Sequence, residues 1–191
     1  MKQITVISIL QPWASLIVMG AKKIETRSWD TQFKGELYIH ASLGKSYGPE
    51  KLSCRELCYK EPFKQFINGG LSYDKLPFGQ IIGKVSLIDT IMFDLYRGMI
   101  NNEMECSIGG NIFNFSEQEL AFGDYSPNRY GWLLSHPEPI EPIPAKGKQG
   151  FWNFQLIDKP EPIRHIKTPD WWNDLYTDGT GNSFSDADPG L

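Results

Sequence analysis

Cysteine is scarce: three residues in a chain of 191, an odd number. That argues against a disulfide framework and for a reducing compartment, so a cytoplasmic location is expected. No apolar run reaches the roughly 18 residues of a membrane span, and no membrane partner is expected. Met1-Lys2-Gln3-Ile4 opens without the apolar core and cleavage site of a secretory signal. His40, His136 and His165 have no ligand spacing, and no His-Glu-x-x-His occurs. Cys54 and Cys58 find no second pair, and Cys106 stands alone, so structural thiols are the expectation and neither metal nor cofactor is expected. Gly109-Gly110-Asn111 lacks the Lys-Ser/Thr of a phosphate loop, and no Gly-x-Ser-x-Gly nucleophile elbow is present.

Excess positive charge is also missing: the net charge is −4. Its distribution matters more than its sum. Every Lys and Arg lies at or before Lys167, while residues 170–191 hold five Asp and no base. Setting those five aside from 23 acidic residues leaves 18 carboxylates against 19 bases, a net of +1 before Asp170. A body this balanced holds nucleic acid only through a local patch. Aromatics, by contrast, are plentiful at 13%, with six Trp, enough to serve binding surfaces as well as core.

Residues 11–40 organise the chain. Pro12 suits the first turn of a helix, Trp13, Leu16 and Ile17 recur at helical spacing, and Gly20 can take the left-handed conformation that closes it. Lys22 sits at the exit. From Ile24 to Trp29 a strand is predicted, with Ile24, Thr26 and Ser28 pointing one way and Glu25, Arg27 and Trp29 the other. A carboxylate, a guanidinium and an indole thus share one row, with Lys22 close by. Lys34-Gly35 turns the chain into a second strand in which Leu37, Ile39 and Ala41 alternate with Glu36, Tyr38 and His40. The geometric expectation is one solvent-accessible cleft surrounded by Lys22, Glu25 and Arg27, near Trp29 or His40.

Elsewhere the pattern predicts a strand over 4–9, a helix over 50–59 broken at Pro62, a short turn at Phe63, Phe66 and Ile67, and a strand over 80–89. Gly83 within that strand marks a bend or a close backbone approach. Residues 91–115 read equally as helix or hairpin, with a turn at Gly109-Gly110. Ser116 and Glu119 form a capping-box start of a helix that Gly123 ends. Strands follow over 132–135 and 151–157, joined by an extended connection through Pro137, Pro139, Pro142 and Pro144. Short strands, glycine turns and a few short helices indicate an α+β chain built on a β-barrel. The domain is expected over 1–157, an arm over 158–177, and an acidic, disordered tail over 178–191.

Three blocks carry a resemblance: Gln11-Pro12-Trp13-Ala14 with Gly20-Ala21-Lys22, Glu25-Thr26-Arg27, Lys34-Gly35 and Ile39-His40-Ala41-Ser42; Gly123-Asp124-Tyr125-Ser126-Pro127 through Arg129-Tyr130-Gly131-Trp132; and Pro144-Ala145-Lys146-Gly147 with Gln149-Gly150 and Trp152-Asn153. Together they resemble the ASCH domain family, in its bacterial and phage branch, over roughly residues 4–157. The resemblance implies a PUA-like pseudobarrel with helices at one end. PUA domains often bind RNA, and in similar domains the segment around Lys22 lines a cleft. One subgroup hydrolyses an acetylated cytidine nucleoside through Lys, Thr and Glu, on the motif Gly-x-Lys-x-x-Thr-x-Arg. Gly20, Lys22 and Arg27 match it, but Glu25 stands at the Thr position, and Thr26 faces the other way in a strand. The subgroup's distant Glu has no assigned counterpart; Asp89 is the nearest acidic residue at the end of the strand over 80–89.

The leading expectation is a module that binds RNA, single-stranded nucleic acid or a nucleotide. Lys22, Glu25, Arg27, Trp29, His40, Arg129 and Lys148 are its candidate ligand-binding residues. The alternative is a small hydrolase acting on a modified nucleoside or on RNA, with Lys22 and Glu25 as catalytic residues. A second alternative is a protein-interaction adaptor that docks through the arm and tail, Trp171 and Trp172 included. Against the site readings stand ordinary structural ones: a salt-bridge set at a barrel mouth, core tryptophans and solvated loop charges.

Overall fold

Gln11 fixes how the first strand passes into the first helix. Its fully buried amide accepts from the Ser15 N–H (3.1 Å) and donates to Ser15 Oγ and to the Pro77 carbonyl, both at 2.8 Å. One side chain therefore caps a helix and pins it to a loop 66 residues away. In this computed structural model the described residues are 1–44, 46–47, 52–68, 73–93, 99–100, 103–108 and 111–157.

The elements in order are β1 (Lys2–Ile9), α1 (Trp13–Val18), β2 (Ile24–Arg27), β3 (Gly35–Ala41), β4 (Ser46–Tyr47), β5 (Leu52–Ser53), α2 (Cys54–Cys58), α3 (Phe63–Asn68), β6 (Gln80–Met92), β7 (Met99–Ile100), β8 (Glu103–Ile108), β9 (Asn111–Phe115), α4 (Glu117–Ala121), β10 (Tyr130–Pro144) and β11 (Phe151–Leu156). Six strands form one sheet in the order β11-β1-β3-β6-β10-β2, with β1 and β3 parallel and the other neighbours antiparallel. Strands β4 and β5 pair separately, as do β7, β8 and β9. This is the α+β, PUA-like pseudobarrel that the resemblance implied.

Both faces of β1 and β3 are buried. Ile7, Ile9, Leu37, Ile39 and Ala41 pack with Val85, Leu87, Trp132, Leu134 and the underside of α1. Ile4, Val6 and Tyr38 pack on the other side with Ile81, Ile140, Trp152 and Leu156. Period-2 alternation thus sorts two apolar sets onto two cores. The two-sided cover comes from β6 and β10, whose paired ladder shifts register three times and lets one long ribbon bend around β1 and β3. Gly83 sits at that bend. A Cβ there would lie 2.5 Å from Val18 Cγ1 and 2.8 Å from the Glu138 carbonyl, so only glycine allows α1 and β10 to approach β6 this closely.

The structure redraws some predicted elements. The proline series is not a connection but the second half of β10, with Pro139 opposite Gly83 and Pro144 opposite Gln80. β2 flanks β10 only from Tyr130 to Leu133, so beyond that point one edge is free and a missing N–H is tolerated. Pro12 is the N-cap of α1 rather than a first-turn residue, while Gly20, at φ +75°, closes the exit as expected. A full capping box occurs at Ser53 and Glu56, heading α2. The predicted turn at Gly109-Gly110, the arm and the tail lie outside the described residues, as do residues 94–98. Among the described residues no helix is long and apolar enough to cross a membrane.

Gly83→Ala is expected to destabilise by about 1–3 kcal/mol through overpacking. Val18→Ala in the same chain should return part of the loss in urea unfolding, because Val18 supplies the nearest clash. Equal midpoints for Gly83→Ala and the parent would contradict the packing described.

Candidate functional site

β2 pairs with β10 through Glu25 opposite Trp132 and Arg27 opposite Tyr130. Its side chains alternate as predicted. Ile24 enters a cluster with Ile91, Phe93 and Phe115, and Thr26 Oγ1 accepts the Asp124 N–H at 3.2 Å. On the other side Glu25 and Arg27 form an ion pair, Nε to Oε1 3.0 Å, and the guanidinium lies 5.8 Å over the Trp132 ring. Arg27 also donates from Nη2 to the Ser8 carbonyl at 3.3 Å. β11 begins only at Phe151, opposite Ile7, so Arg27 serves a carbonyl just past the end of that ladder.

Here the two edge strands of the sheet meet. Trp29 packs edge-on against Trp132 (4.6 Å) and Phe151 (5.5 Å), Trp132 stacks on Phe151 at 5.3 Å, and Trp132 Nε1 donates to the Trp29 carbonyl. Trp29 is therefore a half-buried member of an aromatic seam, not a free stacking platform.

The Glu25–Arg27 pair keeps hydrogen-bonding capacity in hand. Arg27 Nε–H is buried and, despite its 3.0 Å approach to Glu25, is not aligned for a hydrogen bond. The Glu25 carboxylate accepts no hydrogen bond from any described residue, and its side chain stays 11% exposed beside an Arg27 that is 24% exposed.

Lys22 departs from the expected cleft. Its side chain is 1% exposed, its ammonium lies 3.4 Å from Glu119 Oε1 and 5.9 Å from the Tyr125 ring centre. It does not line an open surface. Glu119 is the residue that sequence reasoning missed, having been taken as the return arm of a capping box. Ser116 does accept the Glu119 N–H (3.1 Å), but the carboxylate goes elsewhere: it accepts the N–H groups of Lys23 (2.8 Å) and Ile24 (3.2 Å) and the Tyr125 hydroxyl (2.8 Å). β2 is an edge strand, and Glu119 receives N–H groups at its start. Burial, then the neighbouring Glu119 carboxylate, pushes the Tyr125 phenol far up, so it stays a proton donor.

His40 faces away from Arg27, into the second core. It lies opposite Ser8 in the parallel ladder, is 1% exposed, and its ring meets Trp152 at 5.6 Å. A carbonyl can only accept, so Nε2–H donates to the Ala145 oxygen at 3.1 Å, leaving Nδ1 a buried acceptor without a partner among the described residues. Gly147 presses on the ring edge, where a Cβ would sit 2.5 Å from Cε1 and 2.9 Å from Ser8 Oγ. Trp152 Nε1 donates to that same hydroxyl at 3.2 Å, and Lys148 Nζ lies 5.9 Å from the Trp152 ring centre. Arg129 braces the loop after α4, donating to the carbonyls of Asp124 (3.1 Å) and Thr26 (3.4 Å) and pairing with the Asp124 carboxylate. Ser8 is the hinge between the groups: its carbonyl takes Arg27, and its hydroxyl takes Trp152.

Cys54 and Cys58 lie buried in an apolar cluster with Sγ atoms 4.0 Å apart, and their mutual hydrogen bond, with burial, pushes the Cys58 thiol up. They are packing residues. Among the described residues no group of three or more His, Cys, Asp or Glu is placed to hold a metal ion.

The ASCH domain family model matches residues 7–144. The chain belongs to the ASCH domain family. The chain is 38% identical over 149 residues to activating signal cointegrator 1 of Mus musculus and 36% identical over 149 residues to that of Homo sapiens, in each case covering 78% of this chain. The chain spans only 22% of the length of those relatives. The ASCH protein of Zymomonas mobilis is 19% identical, covers 79% of this chain and 87% of its own, and superposes with a TM-score of 0.41. The bacterial or phage branch stays unassigned, since the two curated relatives are mammalian. ASCH is a PUA-like fold, a class associated with RNA binding.

Two outcomes follow from this geometry. Glu119→Ala should destabilise the domain by about 3–5 kcal/mol, because Lys22 is left buried without its counter-charge. Tyr125→Phe, which removes one donor from a charged acceptor, should cost about 1.5–3 kcal/mol; urea unfolding that ranks them the other way would refute Glu119 as the hub. The second concerns His40, whose imidazole is held below its ordinary pKa by burial, partly offset by the Ala145 carbonyl. Between the two pKa values the unfolded chain holds more protons than the folded one, so the contribution is complete above the ordinary value of 6.5 and is lost as pH falls. The drop in urea midpoint from about pH 7.5 to about pH 5.5 should therefore be larger in the parent than in His40→Gln.

Proposed function

We propose that this ASCH domain binds single-stranded nucleic acid, RNA foremost, at the seam beside Arg27 and Glu25. The observation that carries the reading is the unspent hydrogen-bonding capacity of that pair. A guanidinium offers five N–H donors, and among the described residues only one hydrogen bond of Arg27 is formed, to Ser8. Fixed by Ser8, Glu25 and the Trp132 face, its planar fork is pre-organised to donate to two oxygens of one phosphate.

The local patch that a near-neutral body requires has further members. Gly147 packs on Ser8, which also receives Arg27, so the exposed Lys146 and Lys148 flank the same strand end. Neither forms an ion pair among the described residues, whereas Lys2, Lys34, Lys84 and Arg129 are all paired with carboxylates. The half-buried Trp29 adds an aromatic wall. Lys22 contributes by anchoring β2 from beneath rather than by touching ligand. For the same reason the hydrolase alternative draws no support: a base or nucleophile at Lys22 would have to leave Glu119 and the cover of Tyr125. The adaptor alternative, through Trp171 and Trp172, lies outside the described residues.

Titration of a fluorescein-labelled single-stranded RNA at several salt concentrations tests the reading. Arg27→Ala and Lys148→Ala should each weaken binding and flatten the log–log salt slope by about 0.7 for each phosphate no longer neutralised. Arg27→Lys should recover only part, lacking the planar fork. Circular dichroism must show the variants folded, since Arg27 also closes the seam. A parent that does not bind, or folded variants that bind like the parent, would defeat the proposal.

A further inference from the structure

Glu25 and Arg27 form a matched pair of opposite hydrogen-bonding character at the rim of the seam. A carboxylate only accepts and a guanidinium only donates. Their order is set by the backbone: both lie on one side of β2, and Arg27 is held in place by Ser8 and the Trp132 ring. Neither has its capacity filled, for Glu25 accepts no hydrogen bond from a described residue and Arg27 makes one. A rigid side-by-side acceptor and donor does more than hold phosphate. It reads a chemical edge.

We propose that this pair recognises the Watson–Crick edge of an unpaired guanine. The inference rests on the nucleic-acid reading above and names the base at that site. Guanine presents two adjacent donors, N1–H and the 2-amino group, with the O6 acceptor beside them. The donors satisfy both oxygens of Glu25, and O6 takes one terminal N–H of Arg27, whose other terminal N–H groups not given to Ser8 stay with the phosphate. Adenine and cytosine offer one amino group beside a ring nitrogen that only accepts, which would set a lone pair against the second carboxylate oxygen. Uracil offers one N–H between two carbonyls, with the same conflict. A site whose polar groups are left unpaired by the wrong ligand discriminates more strongly than one that merely fits the right one. The edge is hidden in a duplex, so the site selects single strands.

Discrimination is measured with fluorescein-labelled oligouridine heptamers that carry one central G, A, C, U or inosine, titrated against the full chain. The G heptamer should bind at least about tenfold more tightly than the A, C and U heptamers. Inosine, which lacks only the 2-amino group, should fall between G and the others, and this comparison needs no variant of the protein. Glu25→Gln should abolish the preference while leaving the salt slope unchanged, because the amide presents one donor and one acceptor while every phosphate keeps its cation. Equal binding of all five heptamers, with a salt slope that depends on Arg27, would overturn the guanine proposal and leave the nucleic-acid reading standing. A preference for another base, or inosine equal to guanine, would also overturn it. No binding of any heptamer would defeat both.

Discussion

The six-stranded sheet must close on itself although its two edge strands, β2 and β11, are not hydrogen-bonded to each other. Open edges are costly in a folded chain and invite pairing with other strands. This one is closed by side chains. Trp29 bridges Trp132 and Phe151, Phe33 packs on Phe151 at 5.0 Å, and Arg27 reaches across to the carbonyl of Ser8. The site follows from the seam. Because a four-residue strand must be anchored from outside its own ladder, its side chains and amides turn to helix, loop and neighbouring strand for partners.

Two ion pairs near β2 show opposite treatments of charge. Lys22 and Glu119 are sealed, and the carboxylate is saturated by two backbone amides, a phenol and an ammonium. Such a network rigidifies because its central carboxylate has all its acceptor positions used. Glu25 and Arg27 sit next to it, Glu25 buried to 11% side-chain exposure and Arg27 at 24%, with the Arg27 Nε–H lacking a hydrogen-bond partner among the described residues. A saturated floor beneath an unsaturated rim keeps the rim groups in one geometry without using up their donors and acceptors. Pre-organisation of this kind lowers the cost of ordering on binding.

The same contrast runs through the second core. Ser8 and Gly147 hold the loop over 145–150 against His40, so the two exposed lysines are carried on a segment tied to the barrel by the Ala145 carbonyl and the Ala145 N–H, which donates to Gly79 at 3.0 Å. Gly147, between the two lysines, packs against Ser8, the residue whose carbonyl receives Arg27.

Sequence alone determined the order Ile24–Arg27 and its alternation, the glycine that closes α1, the close approach at Gly83 and the family. Each is a local matter: a period of two, a positive φ, a missing Cβ, a block of consecutive residues. The fate of Lys22 was not local. Its partner Glu119 is 97 residues away and carried the pattern of a helix cap, which its backbone N–H obeys and its carboxylate does not. His40 alternated correctly but met the second core, because β10 continues through four prolines and covers the face that a half-open sheet would have left to solvent. Tertiary structure decided which charge is sealed and which remains available. That choice depends on the donors and acceptors that distant elements bring to a site, and residue spacing within one strand does not encode it.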